Sequence, residues 1–155
     1  MIRRAKKEDI PALAGLAAKM WSCTAEELAG EFGGIFGGDA AFFLCEEDGA
    51  AVAFAQCQIR RDYVEGTSGG PTGYLEGIYV EEKYRRKGIA SALLAECERW
   101  AAGEGCAEFA SDCGTENAES IAFHAGAGFR EAARVVCFVK NLGRRQTADG
   151  PTKFK

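Results

Sequence analysis

The sequence predicts an α/β (α+β) protein with a mixed central β-sheet flanked by helices. Three observations lead there. Asp48-Gly49 stands between two apolar, strand-like runs, which is the signature of an antiparallel hairpin. The strand-like run 73–80 is followed by a helical run from Ile89 and another strand-like run at 106–111, the order of a βαβ crossover. Over the whole chain the order is strand, two helices, three strands, helix, strand, helix, strand, which mixes a meander with crossovers. The chain has 155 residues, 47% of them apolar, enough for one core. A single domain is expected over residues 1–142, with a flexible tail at 143–155.

Ile2 to Ala5 reads as a short first strand. Asp9 is placed to cap a helix with Pro11 in its first turn and Ile10, Leu13, Leu16, Ala17 and Met20 on one face. Thr24 with Glu27 forms a capping box that opens a second helix to Phe32, and Gly33-Gly34 and Gly37-Gly38 are expected to break it. Strands follow at 41–46, 51–61 and 73–80, the last two separated by the loop Thr67-Ser68-Gly69-Gly70-Pro71. Residues 89–102 form the clearest helix, with Ile89, Ala92, Leu93, Cys97 and Trp100 in one stripe. A strand at 106–111, a helix capped by Asn117 and a last strand at 130–139 complete the order.

The net charge of −4 disfavours a nucleic-acid binder and suits a cationic partner. Seven cysteines, Cys23, Cys45, Cys57, Cys97, Cys106, Cys113 and Cys137, make an odd count without CxxC spacing. That pattern argues against a disulfide framework or a zinc site and for small buried thiols. No metal is expected. The N-terminus is charged without a following apolar stretch, and no uncharged run is long enough to span a bilayer. A soluble, cytoplasmic protein is expected, with no membrane partner.

The strongest chemical feature is the join between Tyr74-Leu75-Glu76-Gly77-Ile78-Tyr79-Val80 and the helix at Ile89. A strand that feeds the basic, glycine-containing turn Arg85-Arg86-Lys87-Gly88 into a helix N-terminus makes an anion site from free backbone N–H groups and the helix dipole. The spacing is neither that of a Walker loop nor GxGxxG. On these residues alone, a solvated charge run that caps the helix is the other reading.

Arg85-x-x-Gly88-x-Ala90 resembles the R/Q-x-x-G-x-G/A signature of the GNAT N-acetyltransferases. The run Asn117 to Phe129, an asparagine-capped helix that ends in Gly128-Phe129, is similar to that family's second signature. Trp21, residues 59–64, residues 75–80, Ala110-Ser111-Asp112, Glu116-Asn117 and the His124…Gly128-Phe129 ending resemble the aminoglycoside 6'-N-acetyltransferase branch. The likeness implies a GNAT-like sheet whose splayed strands form an acetyl-CoA site. Backbone groups of Ile78, Tyr79 and Val80 would face pantetheine, and the amides of Arg86, Lys87, Gly88, Ile89 and Ala90 would hold the pyrophosphate. Arg85, Ser91 and Asn117 would complete the cofactor side.

A primary amine attacks a thioester only when unprotonated, so the acceptor site needs carboxylates for the other ammonium groups and an exit for one proton. Glu76 and Asp112 suit these tasks. Each also has a plainer reading, Glu76 as a solvent-facing strand residue and Asp112 as a turn residue before Gly114. A backbone N–H near Tyr79 or Val80 would meet the oxyanion. His124, the sole histidine, stands where many relatives place an acidic tyrosine. It is either the acid for the departing thiolate or a packing or cofactor-contact residue.

Trp21 and Tyr63 are either flat walls for sugar rings or core aromatics. After Phe129 the chain reads Arg-Glu-Ala-Ala-Arg, where relatives in this branch often carry several acids, so one candidate substrate carboxylate is missing. The reading is an acetyl-CoA-dependent N-acetyltransferase for the 6'-amine of an aminoglycoside, acting as a homodimer. The competing readings are an acetyltransferase for another cationic amine (a polyamine, a protein N-terminus or a lysine) and a non-catalytic CoA-binding sensor.

Overall fold

The computed structural model describes residues 1–143. Five strands form one sheet in the order β1 (Ile2–Arg4), β2 (Ala40–Glu47), β3 (Ala50–Arg60), β4 (Thr72–Val80), β5 (Phe109–Ser111). The first four pair antiparallel, and β4 pairs parallel with β5. The β2–β3 hairpin turns on Asp48 and Gly49 at φ +50° and +79°, the left-handed pair that matches strand twist. The parallel pair β4–β5 is bridged by α3 (Ile89–Gly103), as a crossover demands.

Helices α1 (Ile10–Ala17) and α2 (Ala25–Ile35) cover one face of the sheet, and α3 covers the other. Leu13, Leu16, Leu28 and Phe32 pack on Phe42, Leu44 and Phe54. Leu93, Leu94 and Cys97 pack on Phe43, Ala55, Cys57 and Leu75. With both faces covered, the first six residues of β2 are all buried, which explains its unbroken apolar run. Helix α4 (Ala118–Gly126) follows β5.

The Thr24–Glu27 capping box forms with both reciprocal hydrogen bonds, at 3.1 and 2.9 Å. Asn117 caps α4 by accepting from the Ser120 N–H at 3.1 Å. Asp9 does not cap α1 with its side chain. It accepts from the Lys6 N–H at 2.7 Å and pairs with Arg3, because a 3-10 turn (Lys7–Asp9) precedes the helix.

Helix α1 stops at Ala17, so Met20 lies beyond it. Helix α2 runs through Gly33-Gly34 to Ile35, where tertiary packing offsets the poor helix propensity of glycine. The break falls at Gly37, at φ +84°. The buried stripe of α3 is Leu93, Leu94, Cys97 and Ala101, and Ala92 is exposed. Strand β5 is only three residues long, so Cys106, Ala107 and Glu108 are not strand. Cys45, Cys57 and Cys97 are buried as expected for small apolar thiols, but Cys23, Cys106 and Cys113 are half-buried and Cys137 is exposed.

The largest correction concerns residues 130–139. They form no strand and are exposed throughout, Phe138 and Val139 at 91% and 98%. Their apolar pattern is strand-like, but a strand exists only where a neighbour supplies a ladder, and no described residue does so. The segment begins against the loop at Gly66, whose carbonyl accepts from Arg130 at 2.9 Å. Most of the tail expected at 143–155 lies outside the described residues.

Candidate active site

Strand β4 shapes the site. Gln56 of β3 faces Gly77 and Cys57 faces Leu75, so Glu76 is an extra residue, a β-bulge. The bulge turns Leu75 into the α3-side core and leaves Glu76 and Gly77 on the Trp21 side. A Cβ on Gly77 would fall 2.6 Å from the Trp21 ring, so only glycine admits the tryptophan there. Strand β5 pairs with β4 only over Gly73 to Leu75. Past Leu75 the two strands diverge, and a cleft opens between β4 and α4.

That cleft holds about 480 Å³ and is lined by Ile78, Tyr79, Val80, Arg85, Arg86, Gly88, Ile89, Ala90, Ser91 and Asn117, with Met20, Ser111, Ser120, Phe123 and His124. Ten of the eleven residues expected on the cofactor side come together there. Lys87 does not line it; its Nζ lies 5.4 Å from the Tyr84 ring centroid. Arg86 and Gly88 adopt φ +60° and +79°, and no side chain caps α3. Left-handed turn residues before an uncapped helix aim backbone N–H groups at one point, the requirement of a phosphate site. Arg85 has a second task, since its Nε donates to the Val80 carbonyl at 2.8 Å and ties the loop to the strand.

His124 sits on α4 at the opposite wall. Its Nδ1 is 2.7 Å from the Ser120 carbonyl and its Nε2 is 2.8 Å from Ser111 Oγ. Phe123 and Phe129 flank the ring at centroid distances of 5.7 and 5.1 Å.

A second cleft of about 750 Å³ adjoins the bulge. Its walls include Trp21, Asp62, Tyr63, Glu76 and Asp112, all on the acceptor side in the sequence reading or in the stretches quoted for it. Glu31 and Asp39 add carboxylates, and Arg60 and Arg61 are the cations. Trp21 is 4% exposed, its ring edge-on to Phe32 and Phe54, so it is a core residue that presents one side to the cleft. Tyr63 is 68% exposed.

Glu76 is neither solvent-facing nor open. Arg60 donates to both its oxygens at 3.0 Å, and the same guanidinium lies 3.4 Å over the Tyr74 ring. Asp112 accepts from the Tyr74 hydroxyl at 2.6 Å. Burial and that carboxylate push the Tyr74 phenol well above the usual tyrosine range, so it stays a donor. Sequence reasoning gave no role to Arg60 or Ser111. Arg60 could have been suspected from its place beside Arg61 in an otherwise acidic cleft, but Ser111 carries no local signal.

A splayed sheet with a basic, glycine-containing turn on one side and an acidic pocket on the other is the arrangement expected of a transferase that joins a phosphorylated acyl donor to a cationic acceptor. The chain belongs to the acetyltransferase (GNAT) family, whose model matches residues 12–129. Among its relatives is an aminoglycoside N(6')-acetyltransferase type 1 of Stenotrophomonas maltophilia, 38% identical over 138 residues, covering 88% of this chain and 90% of that one. The apo crystal structure of an aminoglycoside antibiotic 6'-N-acetyltransferase from Acinetobacter haemolyticus superposes with a TM-score of 0.86 at 35% identity, covering 92% of this chain and 99% of the other. AAC(6')-Iy in complex with the bisubstrate analog CoA-S-monomethyl-acetylneamine superposes with a TM-score of 0.82 at 34% identity, covering 91% and 97%.

Proposed function

We propose that the protein transfers the acetyl group of acetyl-CoA to the 6'-amine of an aminoglycoside by direct attack on the thioester. The observation that carries this reading is the junction of the two clefts at the Glu76 bulge. The basic turn and uncapped α3 suit a CoA pyrophosphate, and the open edge of β4 beyond Leu75 suits pantetheine. The other cleft carries five carboxylates against two guanidinium groups, a balance that favours a polycation. The aminoglycoside named in the bisubstrate complex of a relative supports the same acceptor class.

In this reading residues 1–142 act as one acetyltransferase domain. Trp21 and Tyr63 flank the sugar rings. Glu76 and Asp112 hold ammonium groups and draw the proton from the attacking nitrogen. A backbone N–H near Tyr79 or Val80 meets the oxyanion. His124 is the source of the proton that reaches the departing thiolate. The enzyme works in the cytoplasm as a homodimer, and the uncovered apolar side chains from Val135 to Leu142 support a second subunit as their cover.

The test is thiol release from acetyl-CoA against a panel of aminoglycosides, polyamines and peptides. The reading expects efficient turnover of aminoglycosides alone. Preferred turnover of a polyamine or peptide lysine overturns the acceptor class, and CoA binding without turnover of any amine overturns the enzyme.

A further inference from the structure

Both ring nitrogens of His124 are engaged, and this decides how a proton can leave it. Nδ1 lies 2.7 Å from the carbonyl oxygen of Ser120. A carbonyl only accepts, and it is much the closer of the two Ser120 oxygens, the hydroxyl lying at 3.3 Å, so Nδ1 donates to it and carries a hydrogen in either charge state. Nε2 lies 2.8 Å from Ser111 Oγ. In the neutral ring, Ser111 donates to Nε2. In the imidazolium, Nε2 donates to Ser111, whose own hydrogen then turns away. His124 and Ser111 both line the cleft, but each ring nitrogen is already engaged, which leaves the Ser111 hydrogen as the one that can turn towards it. The other neighbour of Ser111 Oγ is the Leu75 carbonyl at 3.4 Å, a weak alternative acceptor.

We propose that Ser111 is the terminal proton donor in acetyl transfer, with His124 behind it as the group that positions and reloads it. The inference rests on the proposed acetyltransferase reaction. The acceptor nitrogen bonds to the thioester carbonyl carbon, and the carbon–sulfur bond breaks with its electron pair on sulfur. The Ser111 Oγ–H bond breaks as sulfur takes that proton, and His124 Nε2–H returns one to Oγ. The amide nitrogen gives up its proton on the acceptor side, and the neutral imidazole is reprotonated from solvent. Charge and atoms balance without a further reactant.

The experiment is single-turnover thiol release by wild type, Ser111→Ala, Ser111→Thr, His124→Phe and the Ser111→Ala/His124→Phe double variant, with acetyl-CoA affinity measured separately. A CoA thiolate is a fair leaving group, so Ser111→Ala and His124→Phe are each expected to slow release about 10-fold, below the usual range for acid catalysis. The double variant should be no slower than either single one, because the two act in series. Ser111→Thr should restore most of the rate, and the solvent deuterium effect of the wild type should vanish in Ser111→Ala. Acetyl-CoA affinity should stay within about two-fold, the separation of kcat from binding expected of a chemical role.

An unaltered rate in Ser111→Ala overturns the relay. So do multiplying effects in the double variant, or a rate loss matched by lost acetyl-CoA affinity. An acetylated Ser111 found by mass spectrometry would replace it with a covalent step. Failure of the wild type to turn over any aminoglycoside instead overturns the proposed function, so the two failures are distinguishable.

Discussion

Arg60 and Glu76 meet in a two-pronged ion pair at the bulge of β4, with both N–O distances at 3.0 Å. The Glu76 side chain is 18% exposed and that of Arg60 40%, so the pair sits at the mouth of the acceptor cleft. In the proposed function the guanidinium occupies ground that a substrate ammonium would need. Binding would then be an exchange of one cation for another, with Arg60 setting the threshold an acceptor must pass. Arg60→Ala is expected to lower the acceptor KM several-fold without altering acetyl-CoA affinity. Glu76→Gln removes the charge both cations seek and is expected to cut kcat/KM for the acceptor about 10-fold or more. Steady-state kinetics with each substrate varied in turn checks both, and an unchanged kcat/KM in Glu76→Gln contradicts the role of Glu76.

Gly88 sits at φ +79° with nothing near its missing side chain, at the N-terminus of α3. A branched residue is strained there by about 1–2 kcal/mol and would project into the cleft. Gly88→Val is expected to weaken acetyl-CoA binding about 10-fold or more while the acceptor cleft is undisturbed. Calorimetric titration with CoA measures it, and wild-type affinity would mean the phosphate site lies elsewhere.

Arg3 joins three segments by bonding Asp9 and Glu46 at once. The guanidinium holds the Asp9 carboxyl down at about 2, against an ordinary 3.8, and Glu46 is lowered for the same reason. A carboxylate depressed in the folded state contributes stability above its unfolded value and loses it as pH falls through the folded one. Asp9→Asn is therefore expected to melt below wild type at pH 6. The two should converge as pH falls from about 4 towards 2. Melting curves across that window check it, and a constant offset would mean that Asp9 acts through packing.

What could be read from the sequence was local. The hairpin at Asp48-Gly49, the capping box at Thr24, the Asn117 cap and the turn at Gly88 each carry their conformation in a few adjacent residues. Ten of the eleven residues expected on the cofactor side line one cleft because they flank the Gly88 turn or belong to the two stretches that carry the family resemblance. The pairing of Arg60 with Glu76 was not, because it follows from the β3–β4 register and from a one-residue bulge that composition does not announce. Ser111 and His124 meet only once α4 has folded back beside β5. The reading failed at 130–139 because an apolar run reports a segment's fitness for a sheet and not the presence of a partner strand.

The central claim is the transfer of acetyl to one particular amine. Two aminoglycosides that differ only in a 6'-amine or a 6'-hydroxyl, offered with acetyl-CoA in a thiol-release assay, test it most directly. Rapid release with the amine and none above background with the hydroxyl is the expected result. Equal release from both compounds would contradict it.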